Sequence, residues 1–238
     1  MAGPASIGSA QAFYAVNYAA LACDYDGTLA CDGIVGETTL KALRRLQERS
    51  ILLVLVTGRT LEELLAIFPE VSLFERVVAE NGAVLYRPGT RDYRVLASPP
   101  PEKFIELLKQ RGVQPLSVGH VIVATHEPQQ AKVLEAIREL GTEMQVIFNK
   151  GAVMILPSGV NKASGLAAAL KELRVQTGQV VAIGDAENDH ALLEFSGFAA
   201  AVANAVPALK ERAAWVAKSA DGAGVVELID EFITKGFW

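Results

Sequence analysis

Short apolar runs alternate with amphipathic stretches along most of the chain. The runs of strand length cover residues 18–23, 51–56, 77–79, 179–183 and 199–203. Between them, leucines at helical spacing predict helices over 37–49, 61–68 and 162–173. Strands that alternate with helices are typical of a doubly wound parallel sheet. The sequence therefore predicts an α/β fold with a Rossmann-like core.

The pattern changes character in the middle of the chain, between residues 87 and 157. There it predicts a hairpin near 83–96, helices over 102–111 and 129–140, and strands over 117–125, 143–148 and 152–156. We interpret this part as a small inserted α+β cap domain, 87–157, in a core domain made of 18–86 and 158–238. Residues 1–17 are rich in Ala, Gly and Ser, and we expect them to form a flexible leader.

Composition narrows the class of protein. The 238 residues carry a net charge of −5, which argues against a nucleic-acid partner. Proteins that bind nucleic-acid phosphates do so with clustered Lys and Arg. No apolar run reaches the roughly 20 residues needed to span a bilayer, so we expect no membrane segment. Cys23 and Cys31 are the two cysteines, too few for a disulfide framework, and we expect a cytoplasmic protein. Nothing in the sequence indicates the oligomeric state.

Two carboxylates follow the first predicted strand, in Asp24-Tyr25-Asp26-Gly27-Thr28. Side chains at positions i and i+2 of an extended segment point the same way, so the two anions repel each other unless a cation or a shared proton lies between them. A divalent metal would resolve that repulsion. The residues are equally compatible with a simple turn after the strand, since Asp and Gly are common in turns.

Three further polar stretches repeat this layout. Thr57-Gly58-Arg59 follows the strand 51–56, Lys162 begins a predicted helix, and Gly184-Asp185-Ala-Glu-Asn188-Asp189 follows the strand 179–183. In open α/β sheets, ligands bind at the carboxyl ends of the strands. We therefore expect these stretches to form one site.

The four motifs, in this order, resemble those of the haloacid dehalogenase (HAD) superfamily of phosphotransferases, and most closely its Cof-like subclass with an inserted cap. The resemblance implies a phosphatase that forms a covalent aspartyl phosphate on Asp24, with Asp26 as general acid and base. It also implies Mg²⁺ as cofactor, held by oxygen ligands. The expected metal residues are Asp24, Asp26 through its main-chain carbonyl, Asp185 and Asp189.

The same resemblance implies a set of phosphate-binding groups. They are Thr57, Gly58, Arg59, Lys162 and Asn188. Lys162 is the most suggestive, because a lysine at a helix N-terminus is electrostatically unfavourable unless it serves a ligand. Other readings stay open for four positions: Arg59 as a partner of Glu62 or Glu63, Asn188 as a helix cap, and Asp185 with Asp189 as an ordinary acidic helix start.

The expected partner is a small phosphorylated metabolite, with sugar phosphates as the first choice. His120, His126 and Lys150 are candidates for contacts in the cap, because loops over a rigid core tend to carry specificity. Two alternatives remain at this point: a phosphomutase acting on sugar phosphates, and a non-catalytic metabolite-binding module.

Overall fold

The fold was analysed in a computed structural model, which describes residues 17–238. The predicted leader therefore lies outside the described residues, apart from Asn17. The strands are β1 (Ala20–Asp24), β2 (Leu52–Val56), β3 (Arg76–Ala79), β4 (Val84–Arg87), β5 (Asp92–Val95), β6 (Ser117–Val118), β7 (Val123–His126), β8 (Met144–Asn149), β9 (Ala152–Pro157), β10 (Val180–Gly184), β11 (Phe198–Ala201) and β12 (Trp215–Val216). The helices are α1 (Glu37–Gln47), α2 (Leu61–Ile67), α3 (Glu102–Gln110), α4 (Gln130–Leu140), α5 (Lys162–Leu173), α6 (His190–Phe195), α7 (Pro207–Lys210) and α8 (Asp221–Lys235).

Eight strands form a large sheet in the order β12-β11-β10-β1-β2-β3-β4-β5. The strands from β12 to β3 pair in parallel, whereas β4 and β5 add an antiparallel hairpin at one edge. The central strand β1 is apolar up to its last residue and buried along its whole length, as a parallel strand covered on both faces must be. The predicted doubly wound α/β core is confirmed.

The helices cover the large sheet in packed pairs. Helix α1 contacts α8, and helix α5 contacts α6 as well as β2, β3 and β4. Leu40, Leu43 and Leu46 form the buried stripe of α1, as their helical spacing predicts. No helix in 17–238 combines the length and the apolar character that crossing a bilayer requires.

The inserted cap is built on a second, antiparallel sheet in the order β6-β7-β9-β8. Helices α3 and α4 pack together, and Phe104, Val133 and Ile155 belong to one small hydrophobic core that joins them to this sheet. Separate residues, including Ile122 and Met154, form a cluster with Ala83 of the large-sheet domain. The cap therefore has its own core and a second apolar contact that joins it to the rest of the chain.

Two predicted boundaries differ from the structure. The segment 117–125 forms two short strands, β6 and β7, because residues 119–122 turn back and the chain pairs with itself. The predicted cap start at residue 87 is corrected by the pairing of β5 with β4 in the large sheet. We propose that the cap begins after Val95 and ends at Pro157.

A buried carboxylate fastens the cap to the core. Glu80, between β3 and β4, is fully buried and accepts hydrogen bonds from the backbone N–H groups of His120, Val121 and Ile122 at 2.7–2.9 Å. A Cβ on Gly119 would lie 2.6 Å from Glu80 Oε1, so this turn tolerates only glycine. Three N–H donors satisfy an ionised carboxylate in a buried place, and this explains why residues 119–122 interrupt the predicted strand.

Candidate active site

The carboxyl ends of neighbouring parallel strands bring the predicted motifs together. Strand β1 lies between β2 and β10, and Asp24 is in register with Val56, the residue before Thr57. Asp185 follows β10 directly. The shared edge of a parallel sheet therefore places Asp24, Thr57 and Asp185 at one site, although they are far apart in the sequence.

Three carboxylates and one ammonium form the centre of this site. Oxygens of Asp24, Asp185 and Asp189 lie within 4.8 Å of one another, and all three residues are buried. We call them the acid cluster. Lys162 is also buried, and its Nζ lies 2.5 Å from Asp24 Oδ1 and 2.6 Å from Asp189 Oδ1. A capping box between Asn161 and Ser164 fixes the start of α5, and this positions the lysine.

Burial dominates the electrostatics of the acid cluster. Desolvation and the charge of Asp189 raise the pKa of Asp24 well above its usual range, against the opposing effect of Lys162. Desolvation also raises the pKa of Asp185, whereas Lys150 acts to lower it. For Lys162, burial lowers the pKa, but Asp189 and Asp24 outweigh it and the pKa is raised, so the ammonium keeps its proton. The cluster thus carries more negative charge than its one buried cation balances.

Asp189 uses both of its oxygens inside the protein. While Oδ1 accepts from Lys162, Oδ2 accepts from the backbone N–H groups of Asp185 and Ala186 at 2.9 and 3.1 Å. A Cβ on Gly184 would lie 2.6 Å from Asp189 Oδ2, so the strand end must be glycine for the carboxylate to fit. These contacts orient Lys162 and shape the loop after β10.

Asp185 is held from two sides. Thr28, at the end of the first motif, donates from Oγ1 to Asp185 Oδ1 at 3.1 Å, and the Nζ of Lys150, from the cap, contacts Asp185 Oδ2. Gly27 adopts a φ of 75°, and a Cβ there would collide with the Asp185 carboxylate. The first motif therefore packs directly on the motif that follows β10.

Asp26 lies outside the acid cluster. Its carboxylate accepts two hydrogen bonds from Arg59, from Nε to Oδ2 and from Nη2 to Oδ1, both at 2.7 Å. Arg59 therefore pairs with Asp26 and not with Glu62 or Glu63, and its side chain also lies over the ring of Tyr25. The bidentate pair fixes the direction of the Asp26 side chain.

The remaining predicted phosphate-binding residues lie around the same edge. Thr57 is fully buried, and its Oγ1 accepts from the backbone N–H of Arg59 at 3.1 Å, which leaves the hydroxyl proton available to a ligand. Gly58 lines the cavity described below. Asn188 donates from Nδ2 to Asn81 Oδ1 at 3.1 Å, and its own Oδ1 has no partner among the described residues.

A cavity of about 380 Å³ opens between the two domains at this site. Its core wall includes Asp24, Asp26, Gly58 and Arg59, and its cap wall combines the apolar side chains of Ile122, Ala124, Ala152 and Met154 with Ser117, His126, Asn149 and Lys150. Two of the three predicted cap residues, His126 and Lys150, therefore reach the cavity. The third, His120, contacts Glu62 at 3.0 Å and stacks on Tyr93 outside it.

Comparison with known proteins explains this arrangement. The family model of the haloacid dehalogenase-like hydrolases matches residues 21–133 and 113–229, which overlap and together cover most of the chain. The chain belongs to this family. The predicted resemblance to the HAD superfamily and its Cof-like members is confirmed.

Relatives of this HAD-like hydrolase include two phosphoglycolate phosphatases. The phosphoglycolate phosphatase of Methanothermobacter thermautotrophicus is 33% identical over 225 residues, which cover 90% of this chain and 98% of the relative. The phosphoglycolate phosphatase of Methanosarcina acetivorans is 29% identical over 228 residues, which cover 94% and 100%. Together with the family match, these relatives indicate that the chain is a phosphatase.

Solved structures share the fold of this HAD-like hydrolase. A haloacid dehalogenase-like hydrolase from Bacteroides thetaiotaomicron aligns with a TM-score of 0.75 at 19% identity, covering 90% of this chain and 99% of the other. Another haloacid dehalogenase-like hydrolase, from B. subtilis, aligns with a TM-score of 0.74 at 17% identity, covering 89% and 99%. Both extend over the core and the cap, so the inserted architecture is common to them.

Three residues at or beside the site of this HAD-like hydrolase, Thr28, Glu80 and Asn81, were not among those predicted from the sequence. Thr28 was part of a motif already recognised, and its spacing from Asp24 was the available signal. Glu80 and Asn81 precede Gly82, and these residue types alone indicate only a turn. Their burial and left-handed backbone, with φ values of 52° and 53°, depend on the tertiary structure and leave no pattern in the sequence.

Proposed function

We propose that this protein is a Mg²⁺-dependent phosphatase that hydrolyses small phosphorylated metabolites through an aspartyl phosphate on Asp24. The observation that carries the proposal is the contact of Asp24 with Lys162 within the acid cluster, at the edge of a cavity. A buried carboxylate beside a fixed ammonium suits nucleophilic attack on a phosphate ester, because the ammonium offsets the charge that the two anions bring together.

The donor set suits a magnesium ion. Three buried carboxylates beside one buried ammonium leave excess negative charge, and oxygen ligands are those that Mg²⁺ prefers. Asp24 and Asp185 would hold the ion with their carboxylates, and Asp26 with its main-chain carbonyl. Asp189 keeps Lys162 in place. When bound, the ion would supply charge that reduces the repulsion between the Asp24 carboxylate and the phosphate.

The residues of the chain divide the reaction into two displacements. Asp24 attacks phosphorus, the bond from phosphorus to the ester oxygen breaks, and Asp26 gives its proton to the departing oxygen. Asp26 then takes a proton from a water molecule, which attacks phosphorus and releases phosphate and the Asp24 carboxylate. Lys162 and the hydroxyl of Thr57 stabilise negative charge on the transferring group, with Gly58 and Asn188 as further donors.

Phosphoglycolate is the leading candidate substrate, and sugar phosphates are the second. Two relatives that align over nearly their whole length are named phosphoglycolate phosphatases. A cavity of about 380 Å³ is also suited to a small ester. We further propose a cytoplasmic location, since Cys23 and Cys31 are both free.

The proposed function is tested by following product formation from phosphoglycolate and from glucose 6-phosphate in the presence of Mg²⁺. We expect free phosphate to appear in step with substrate loss, and chelation by EDTA to stop it. Acid-quenched enzyme should carry a phosphoryl group that peptide mass spectrometry assigns to Asp24. An isomeric sugar phosphate formed without net phosphate release would instead support a phosphomutase. Inactivity towards a broad panel of phosphate esters would support a binding module.

A further inference from the structure

Lys150 brings a positive charge from the cap to the active site. It lies in the turn between β8 and β9, where its φ of 46° and the φ of 85° at Gly151 make the chain reverse tightly. Its backbone N–H donates to Glu187 Oε2, in the loop after β10, at 3.3 Å. The tip of the cap turn is therefore placed against the core, and the side chain extends from a fixed base.

The ammonium of Lys150 ends at the acid cluster. Its Nζ contacts Asp185 Oδ2, and Asp185 is fully buried whereas the lysine side chain is 44% exposed. Lys150 lines the cavity and also a second open groove beside Gly27 and Asn204. The side chain thus lies between a buried carboxylate and the space that a substrate would fill.

The core cations are already matched by core carboxylates. Arg59 forms a bidentate pair with Asp26, and Lys162 is shared between Asp24 and Asp189. Lys150 is different, because its partner Asp185 would also be a ligand of the proposed metal. A divalent ion on Asp185 would repel the ammonium and favour its rotation towards an anion in the cavity.

Four apolar side chains cover part of the cap wall, beside the polar Ser117, His126 and Asn149. Ile122, Ala124, Ala152 and Met154 offer no hydrogen bonds from their side chains, so sugar hydroxyls placed against them would lose their water without replacement. A short carbon chain can lie on these apolar side chains. A charged end group then needs a cation, and Lys150 supplies one on the same wall.

We propose that Lys150 binds the carboxylate of a short phosphorylated acid and so determines which esters this enzyme prefers. The proposal rests on the proposed phosphatase function and assigns a residue to its selectivity. When the substrate enters, the ammonium of Lys150 leaves the Asp185 carboxylate and binds the substrate carboxylate. The core residues act on the phosphoryl group. The effect of Lys150 on kcat/KM therefore depends on the leaving group.

The test compares two esters that differ in one group. Phosphoglycolate and ethyl phosphate have the same bond to phosphorus and the same chain length, but only the first carries a carboxylate. We expect Lys150→Met to lower the ratio of kcat/KM for phosphoglycolate to kcat/KM for ethyl phosphate by about 10- to 100-fold, the size typical of a lost charged hydrogen bond. Lys150→Arg should retain most of the ratio. Lys109→Met, on α3 and away from this cavity, is the matched control and should leave it unchanged.

Binding without turnover gives a second measurement. In an Asp24→Asn background, calorimetric titration with the two esters should show a preference for phosphoglycolate, and adding Lys150→Met should reduce that preference by a similar factor. An equal loss for both esters would overturn the proposal, because Lys150 would then act on the phosphate or on Asp185. An unchanged ratio would overturn it as well. Hydrolysis of glucose 6-phosphate but of neither of these esters would overturn the proposal for Lys150 and leave the phosphatase function standing, whereas inactivity towards the whole panel of phosphate esters would reject the proposed function itself.

Discussion

The guanidinium of Arg59 donates two hydrogen bonds of 2.7 Å to the carboxylate of Asp26, one to each oxygen. The pair joins the loop after β1 to the loop after β2. In the proposed mechanism Asp26 first gives and then takes a proton at one place, and the two-point contact fixes the direction of its ionised carboxylate. We therefore propose that Arg59 acts on the reaction through Asp26.

Replacing Arg59 with Met should lower kcat by about 10- to 100-fold, because a misdirected proton donor is an inefficient one. Arg59→Lys should restore little of the lost kcat, since a single ammonium cannot form the two-point contact. Steady-state kinetics with phosphoglycolate would measure both variants. Arg45→Met, which removes a partly exposed arginine paired with Asp230, is the control. A rise in KM with kcat unchanged would show instead that Arg59 binds the substrate.

Asp24→Asn should reduce kcat by on the order of 10⁴-fold or more, because an amide has the volume of the carboxylate but is not a competent nucleophile. The fold should persist, with a melting temperature close to that of the wild type, since the amide oxygen can still accept from Lys162. Phosphate release and thermal denaturation measure the two effects. The exposed Asp92→Asn provides a matched control. Turnover near the wild-type level would remove Asp24 from its proposed role.

Lys162→Met should destabilise the protein by about 3–5 kcal/mol, because it leaves the buried carboxylates of Asp24 and Asp189 without their cation. The pKa of Asp24 is already raised by burial and by Asp189, and removal of the opposing charge of Lys162 should raise it further. The folded variant therefore loses more stability, relative to the wild type, as the pH rises. In urea denaturation, the loss in free energy of unfolding relative to the wild type should therefore be larger at pH 8 than at pH 5. Lys171→Met, exposed on the same helix, is the control. A deficit independent of pH would indicate lost packing alone.

Glu80→Gln should loosen the cap without unfolding the core. The three N–H groups of residues 120–122 would lose an ionised acceptor, at a cost of about 1–3 kcal/mol. Hydrogen exchange at these amides should accelerate, while exchange in β1 and β2 stays slow. The exposed Glu102→Gln, on cap helix α3, should change neither. Uniform acceleration over both domains would mean that Glu80 supports the whole fold.

Glu172 should contribute stability that depends on pH. Its hydrogen bond with Arg87, with help from Arg76, lowers its pKa from 4.5 to about 2. Because the folded pKa lies below the unfolded one, this contribution is present above about pH 4.5 and is lost as the pH falls towards 2. Glu172→Gln should thus have a lower melting temperature than the wild type at pH 7, and the difference between the two melting temperatures should become smaller in acid. The exposed Glu211→Gln serves as reference, and a gap that widens in acid would contradict this account.

The position of the acid cluster could be predicted because parallel strands share one edge. Asp24 and Asp185 end neighbouring apolar strands, so pattern alone brings them together. Lys162 could be predicted for another reason: its place at a helix start is unfavourable without a ligand. The two carboxylates on its Nζ show what compensates that position.

Contacts that cross between loops or domains could not be predicted in the same way. The partner of Arg59 is 33 residues away and depends on how two loops bend. The partners of Glu80 are 40 to 42 residues away, beyond the inserted helix α3. Such pairs carry no periodicity, and residue type gives many possible combinations for each charged group. The Glu80 contacts form only when the cap has a fixed place on the core, whereas the Arg59 pair depends on two loops of the core itself.

The apolar wall that faces the acid cluster belongs to a different sheet from the one that holds Asp24. Ala124 and Ala152 lie on β7 and β9, whose hydrophobic core is separate from that of the large sheet. A bulkier residue at either position would shorten the space for the leaving group and leave the reacting residues where they are. Exchange of a few side chains of the insert can therefore change the substrates that such an enzyme accepts. The proposed way of breaking the bond to phosphorus stays the same.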